Sequence, residues 1–579
     1  MSAPRSIDDP VRPSRRTFVK GLATCGAAAS LGLLHRAAAA APGPRLEPGV
    51  LSGTEFDLRI GATRVDVTGR ERTALTINGS LPGPLLRWCE GDTVTLRVAN
   101  TLDGEDTSIH WHGIVLPANM DGVPGLGFSG IRPGETYPYR FEVRQNGTYW
   151  YHSHSGFQEQ QGVYGPLVIQ AREPEPFTCD REHVVLLTDW TDSDPRRVFD
   201  RLKKQSDYYN IRQRTLGDFV RDARRHGLSA TLAERRAWAE MRMNPTDLAD
   251  VGGSTYTYLM NGLPPAANWT GIFTPGEKVR LRLINGSAMS YFDLRIPGLK
   301  LTVVAADGQY VRPVTVDELR LAVAETYDVI VEPTGAEAFT IVAQAMDRTG
   351  YAAGTLATRA GLRAPIPPLD PRPVLTMADM GHGGDMAAHA RMGHAMQAHP
   401  ATELGNPLVD MQTMMPRSKL DDPGLGLREA DRPGNGGRRV LTYADLRSAF
   451  ADPDGREPSR TIELHLTGHM DRFAWSFDGV RFSDAEPLRL VYGERVRIVL
   501  INDTMMTHPI HLHGMWSDLE DDQGRFQVRK HTIDMPPGSR RSYRVTADAL
   551  GRWAYHCHLL FHMEAGMFRE VRVEEGARS

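Results

Sequence analysis

The chain is short of cysteine, of net charge and of unbroken apolar sequence. Its 579 residues hold 4 cysteines. Cys25 lies in an N-terminal stretch that reads as a cleaved leader, and Cys557 sits among histidines. Only Cys89 and Cys179 are left to form a bridge. An oxidising compartment would allow that disulfide, and two separate thiols is the other reading. The formal net charge is −4, so nothing in the balance favours nucleic acid or an anionic membrane as a partner. Beyond the leader no run is long and apolar enough to cross a bilayer. The mature chain is therefore expected to be soluble, with no transmembrane segment.

The leader reads Ser14-Arg15-Arg16-Thr17-Phe18-Val19-Lys20, then a weakly apolar run from Gly21 to Leu34, then small residues from Ala37 to Ala41. Paired arginines, a short apolar core and a small-residue cleavage region make a twin-arginine signal over residues 1–42. Twin-arginine export carries folded proteins, so a periplasmic metalloprotein loaded before export is the expectation.

What is abundant is repetition. Ile77-Asn78-Gly79, followed by Gly91-Asp92 and a strand to Asn100, recurs as Met260-Asn261-Gly262, Gly276-Glu277 and a strand to Asn285. It returns as Phe477-Asp478-Gly479, Gly493-Glu494 and a strand to Asn502. Each copy is a Gly-acid turn and an alternating strand. Three copies at domain-sized spacing predict an all-β chain of three Greek-key β-barrels. They are expected at 47–175, 180–355 and 440–576. Residues 195–245 have helical composition and predict an insertion in the second barrel, with Met241 and Met243 near its end. Residues 356–439, rich in Met, His, Pro and Gly, predict a long linker or flexible lid.

Histidines cluster in four places: His110-Trp111-His112, His152-Ser153-His154, His508-Pro509-Ile510-His511-Leu512-His513 and His556-Cys557-His558 with His562 beyond. On a strand, residues i and i+2 share a face roughly 7 Å apart, and i+1 points the other way. Cys557 can then join His562 and Met567 around one copper, while His556 and His558 reach metal on the opposite side. Thiolate, imidazole and a weak axial thioether are the donors of an electron-transfer copper. The middle repeat has no histidine cluster, so the second barrel is expected to space the others and bind no copper centre. A shared metal cluster must then lie between the first and third barrels.

These motifs resemble the signature of multicopper oxidases, and their wording is similar to the copper-resistance protein A family. The matching stretches are Asp106–Gly113, Leu116–Gly125, Gly147–Gln158 and His556–Met567. The likeness covers nearly all of the chain after the leader. It implies that the barrels are cupredoxin-like and that four copper ions are held. His508, Cys557, His562 and Met567 would take the type 1 copper, and His110 and His511 the type 2. His112, His152, His154, His513, His556 and His558 would take the type 3 pair. The resemblance also places Asp121 near the cluster as a proton-handling carboxylate. Where some relatives carry a glutamate directly after the type 1 histidine, this chain has Met563.

Soft sulfur favours Cu(I). Met377, Met380, Met386, Met392 and Met396, with Met411, Met414 and Met415, sit in a polar stretch that offers no evident apolar surface, and read as additional Cu(I) positions. Of the leftover histidines, His465 reads as an ordinary strand residue. The expected reaction is oxidation of Cu(I) coupled to reduction of O2 to water, a contribution to copper resistance. A laccase-like oxidase of phenols and a copper-sequestering protein are the alternatives. A periplasmic or outer-membrane copper-handling protein is the partner class to consider.

Overall fold

Each copy of the repeat opens on a reversal that few residue types accept. Asn78 and Gly79 have φ of 54° and 76°, Asn261 and Gly262 of 50° and 77°, Asp478 and Gly479 of 54° and 69°. Two consecutive positive φ angles make a type I′ hairpin, for which Asn-Gly and Asp-Gly are the favoured pairs. The flanking residues pair across the turn, Ile77 with Ser80, Met260 with Leu263 and Phe477 with Val480. Each copy closes on a buried asparagine whose amide bridges two main-chain carbonyls, one of them in the loop that follows. Asn100 donates to Glu105 and Ile131, Asn285 to Ser290 and Leu321, and Asn502 to Met506 and Met535. Buried carbonyls must find donors, so this residue ties the barrel's loops to its strand in all three copies.

The computed structural model describes residues 49–382, 398–432 and 437–576. The expected leader lies outside them. The strands form six sheets, two in each of three successive barrels, with four and five strands in the first and six and five in the second and third. In each barrel an early strand runs parallel to the strand of the repeat. Glu55–Asp66 lies beside Thr93–Asn100, Arg181–Thr191 beside Val279–Asn285 and Arg460–His469 beside Arg495–Asn502. Parallel neighbours require a crossover rather than a hairpin, which gives the barrels their Greek-key character. One continuous set of buried side chains, from Phe56 to Val573, runs through all three. Among the described residues no helix is long and apolar enough to cross a membrane.

The insertion is helical as expected: Pro195–Lys204, Leu216–His226 and Leu228–Glu240. Asp194 caps the first through the Arg196 amide, and Thr215 with Asp218 forms a capping box on the second, each satisfying amides that a helix start leaves free. Trp238 and Met243 anchor it in the core, and Met241 packs against it.

The segment after the second barrel differs from a flexible lid. Its described parts are irregular, yet they are strapped down. Leu375, Met380, Met411 and Leu420 join the core. Lys419 donates to the carbonyls of Asp379 and Pro537, and Arg417 pairs with Ser539 of the third barrel. Arg432 and Arg438 reach the buried carboxylates Glu318 and Asp370. The pattern of the segment contained no strand, but the third barrel offers it apolar surface that the sequence of the segment does not display. Cys89 is exposed and Cys179 half-buried, and both are free thiols rather than a bridge.

Candidate metal centre

The strand Gly551–Cys557 pairs with His508–Leu512, setting Ile510 opposite Cys557 and His511 opposite His556. Alternation then sends Cys557 to one side and its neighbours to the other. On the first side, Cys557 Sγ lies 3.5 Å from His508 Nδ1 and 3.9 Å from His562 Nδ1, and the two nitrogens are 3.1 Å apart. Met567 is fully buried, its carbonyl accepting from the Cys557 amide and its own amide donating to the His562 carbonyl. The short helix Leu560–Glu564 carries His562 into place.

On the other side the first and third barrels meet. His110–His112 pairs with Gly147–His152, setting His110 opposite His152. The ligand atoms fall into three groups: His110, His112 and His511; His112, His152 and His558; His154, His513 and His556. All three draw on both barrels, the first through His511, the second through His558 and the third through His513 and His556. His110 stacks on His513 at 3.9 Å and His112 on His511 at 3.8 Å. Segments some four hundred residues apart thus share one cluster.

The proton inventory tests whether these groups fit metal. In most of the rings one nitrogen is fixed by the protein. His110 and His511 donate from Nδ1 to the carbonyls of Asp121 and His531, His556 to that of Cys557, and His513 to Asp121 Oδ2 at 2.8 Å. His152 Nδ1 meets Glu159 Oε2 at 2.6 Å. The nitrogens that remain face one another. His513 Nε2 and His556 Nε2 are 3.0 Å apart, and His152 Nε2 and His558 Nε2 are 3.3 Å apart. His110 Nε2, His511 Nε2, His154 Nε2 and His112 Nδ1 are buried with no hydrogen-bond partner. Lone pairs aimed at each other repel unless a cation sits between them. Imidazole binds a first-row divalent ion at about 2.0–2.1 Å, which spaces two ligand nitrogens about 3.3 Å apart at a tetrahedral angle. The donors fit.

Electrostatics agree. Burial, with neighbouring imidazoles, holds His112, His152, His154, His511, His513 and His558 well below the ordinary histidine range. Burial brings His556 down to about 4 and His562 to about 3. Neutral imidazole is the ligand form. Burial pushes the Cys557 thiol up, so its thiolate needs a cation beside it.

Several residues escaped the sequence reading. Asp250, from the loop after the helical insertion, accepts from His562 Nε2 at 2.7 Å. Glu159, one turn past His154, holds His152. Thr504 accepts from His508 Nε2 at 2.7 Å, leaving Nδ1 toward Cys557. His531 Nδ1 lies 3.2 Å from His112 Nε2. Each orients a ligand by occupying its other nitrogen, the recurring arrangement around protein-bound metals. Asp250 belongs to a barrel without a histidine cluster and Glu159 to a Gln-rich turn, so neither carried a signal by spacing. Asp121 was foreseen and touches both His110 and His513.

The methionines divide. Met380 and Met411 are buried in the core and Met377 packs against it, so these thioethers do have apolar neighbours, contrary to expectation. Met414 and Met415 are half-buried. Met386, Met392 and Met396 lie outside the described residues.

Three cupredoxin-like barrels with a histidine cluster shared between first and third define a copper oxidase. Family models described as multicopper oxidase match residues 59–174, 181–361 and 455–577. The chain belongs to the multicopper oxidase family, and within it to the copper resistance protein A group. It is 68% identical to a copper resistance protein A homolog of Pseudomonas syringae pv. tomato, over 98% of this chain and 100% of that one. It is 65% identical to copper resistance protein A of Escherichia coli, again over 98% and 100%. Among solved structures it resembles Fet3p, a multicopper oxidase that functions in iron import, with a TM-score of 0.64, 21% identity and coverage of 90% and 91%. That likeness is one of fold. As a member of this family the chain is a copper-containing oxidoreductase that uses oxygen.

Proposed function

We propose that the chain oxidises Cu(I) with O2 and so contributes to copper resistance in the periplasm, reached by twin-arginine export. The observation that carries the reading is the set of neutral, buried imidazoles from two barrels whose spare nitrogens converge at 3.0–3.3 Å. Names of relatives at 65% and 68% identity support the resistance role, and the paired arginines of the leader support the route. Four coppers are assigned. His508, Cys557, His562 and Met567 hold the type 1 ion, and His110 and His511 the type 2. His112, His152 and His558 hold one type 3 ion, and His154, His513 and His556 the other. The second barrel holds none.

When bound, these ions supply one-electron acceptance at the sulfur site and four-electron reduction of O2 to water at the histidine cluster. The chain's own residues do the rest. Cys557 ties the two sites through its peptide bonds to His556 and His558. Four Cu(I) ions give up four electrons, and four protons must reach the reduced oxygen. Asp121, bonded to His513, and Glu159, whose Oε1 is buried without a partner, are the carboxylates in place to hold them. Burial, with Asp189 nearby, raises Glu159 well above the ordinary carboxylate range, which suits a proton store.

The test is oxygen uptake by copper-loaded protein with Cu(I) and with a phenol as donors. A companion variant replaces Met377, Met386, Met392, Met396, Met414 and Met415 by leucine and spares the core residues Met380 and Met411. Cu(I) turnover that falls severalfold in the variant, with phenol turnover kept, supports Cu(I) collection by the strap. Phenol turnover without Cu(I) turnover in the wild type makes the chain laccase-like. Absence of oxygen uptake with either donor leaves sequestration.

A further inference from the structure

A second cluster of metal-binding side chains lies where the strap docks on the third barrel, apart from the sites above. His399 and Glu403 come from the strap, His465 from the strand Arg460–His469 and Asp503 from the end of the strand beside it. Their donor atoms all lie within 4.8 Å of one another. His399 Nδ1 is 3.2 Å from Glu403 Oε2 and 3.6 Å from Asp503 Oδ2. His465 Nδ1 is 3.7 Å from Glu403 Oε1 and 2.6 Å from Asp503 Oδ2. Neighbouring ligands at about 2.0 Å stand about 2.8 Å apart around a square-planar ion and about 3.3 Å apart around a tetrahedral one. The four separations, 2.6 to 3.7 Å, span the two spacings, so shifts of under about 1 Å bring the donors onto one ion.

The cluster is built rather than incidental. Glu403 is 2% exposed, and its Oε1, facing His465, has no hydrogen-bond partner. A carboxylate oxygen buried without a donor is costly; His465, the imidazole facing it, stands 3.7 Å off with its Nδ1 bonded to Asp503 instead, and a metal ion would supply the missing partner. Its other oxygen is held by Gln412 at 3.1 Å. His399 Nε2 donates to the Thr413 carbonyl at 3.2 Å, which fixes the ring and turns Nδ1 toward the carboxylates, as in other outer-sphere arrangements. The Thr413 amide in turn donates to Asp503 Oδ1 at 2.6 Å. Nor does the barrel architecture ask for these residues. By their bonding to the repeated turn and asparagine, the counterparts of His465 are Arg59 and Leu186, and those of Asp503 are Thr101 and Gly286. Only the third copy sets a histidine and an aspartate side by side there.

We propose that His399, Glu403, His465 and Asp503 form a separate Cu(II) site. Two imidazoles and two carboxylates with no sulfur are donors for a divalent ion rather than Cu(I), and among first-row divalent ions Cu(II) binds such sets most tightly. The proposal rests on the oxidase reading only in naming Cu(II), the product of Cu(I) oxidation, as the occupant. Asp503 stands five residues before His508 in the chain, so the product is taken up by the same loop that carries the electron-accepting site.

The test titrates Cu(II) into the full chain with its resident coppers loaded, following bound copper by metal analysis and electron paramagnetic resonance. Glu403→Gln keeps the shape of the buried side chain, and His399→Ala alters the strap alone. The expected result is one tightly held Cu(II) more in the wild type than in either variant, with hyperfine structure from two nitrogens. Blue absorption and phenol oxidation per chain stay the same in all three. Equal copper uptake by wild type and both variants overturns the site. Displacement of that Cu(II) by an equal concentration of Zn(II) overturns the assignment of the metal. Protein that takes up the additional Cu(II) but consumes no oxygen with Cu(I) upholds the site and overturns the oxidase reading instead.

Discussion

Asp250→Ala isolates what the second barrel does for the sulfur site. Asp250 Oδ2 accepts from His562 Nε2 at 2.7 Å, and both side chains are fully buried. With His562 Nδ1 committed to a metal, Nε2 must carry the proton. Removing the carboxylate leaves that N–H buried with no acceptor, a loss of about 1–3 kcal/mol. The cost falls on the metal-bound form, so copper affinity at the sulfur site drops roughly 5- to 150-fold, in line with the 10–100-fold typical of such outer partners. Asp250→Asn keeps an acceptor oxygen and loses the charge that the aspartate carries above about pH 8, to which burial raises its carboxyl. Since a charged acceptor makes a bond roughly twice as strong as a neutral one, the asparagine variant should retain about half of the effect. The assay is chelator competition followed by the blue absorption at a fixed pH above about 8, where Asp250 is ionised. Alanine and wild-type proteins of equal affinity, or an asparagine variant weaker than the alanine one, would refute the reasoning.

Cys557→Ser should abolish the intense blue absorption and turnover while far-ultraviolet circular dichroism stays unchanged, because the hydroxyl fits the space and lacks the thiolate. Glu159→Ala strips His152 of its 2.6 Å partner and should lower copper content at the histidine cluster, measured by metal analysis, with the blue absorption intact. Asp370→Asn tests the strap. Arg438, Gln344 and Arg295 offset burial and hold Asp370 down at about 2. A lowered carboxylate contributes stability that is fully present above its unfolded value of about 3.9 and is lost as pH falls through about 2. Denaturant midpoints of wild type and variant should therefore differ at pH 7 and converge between about pH 4 and pH 2. A constant difference across that window would show that the charge is not the cause.

How much of this was legible depended on whether a residue's partner lay in the same repeat. The Asn-Gly and Asp-Gly reversals, the closing asparagines and the alternation around Cys557 are local rules, and each could be read off a few neighbouring residues. The meeting of His110 with His513 is not local, yet it followed by counting, because half-sets of ligands in two barrels have no other use. Asp250, Glu159 and His531 failed that logic. Each serves a ligand as its second hydrogen-bond partner, a task any suitably placed carboxylate, hydroxyl or carbonyl can perform, so residue type and spacing leave no trace. The strap failed for a different reason. Its Met380 and Met411 looked polar-flanked in sequence, and only the surface of the third barrel makes them core residues.

The second barrel shows why a domain without a histidine cluster is more than a spacer. A spacer would touch its neighbours through exposed rims. This one sends buried carboxylates behind the ligands of the third barrel. Asp250 fixes His562. Asp307 pairs with the fully buried Lys530 at 2.9 Å and accepts from the amides of His531 and Thr532. The His531 carbonyl then takes the Nδ1 proton of His511, and the His531 ring faces His112. Tyr291 donates to Asp534, which also accepts from Thr507, the residue before His508. The third barrel's His562, of the proposed type 1 set, and His511, of the proposed type 2 set, are thus oriented, directly or through one residue, from the second. The body that sets the distance between the outer barrels also sets which nitrogen each imidazole presents, so the two cannot drift apart independently.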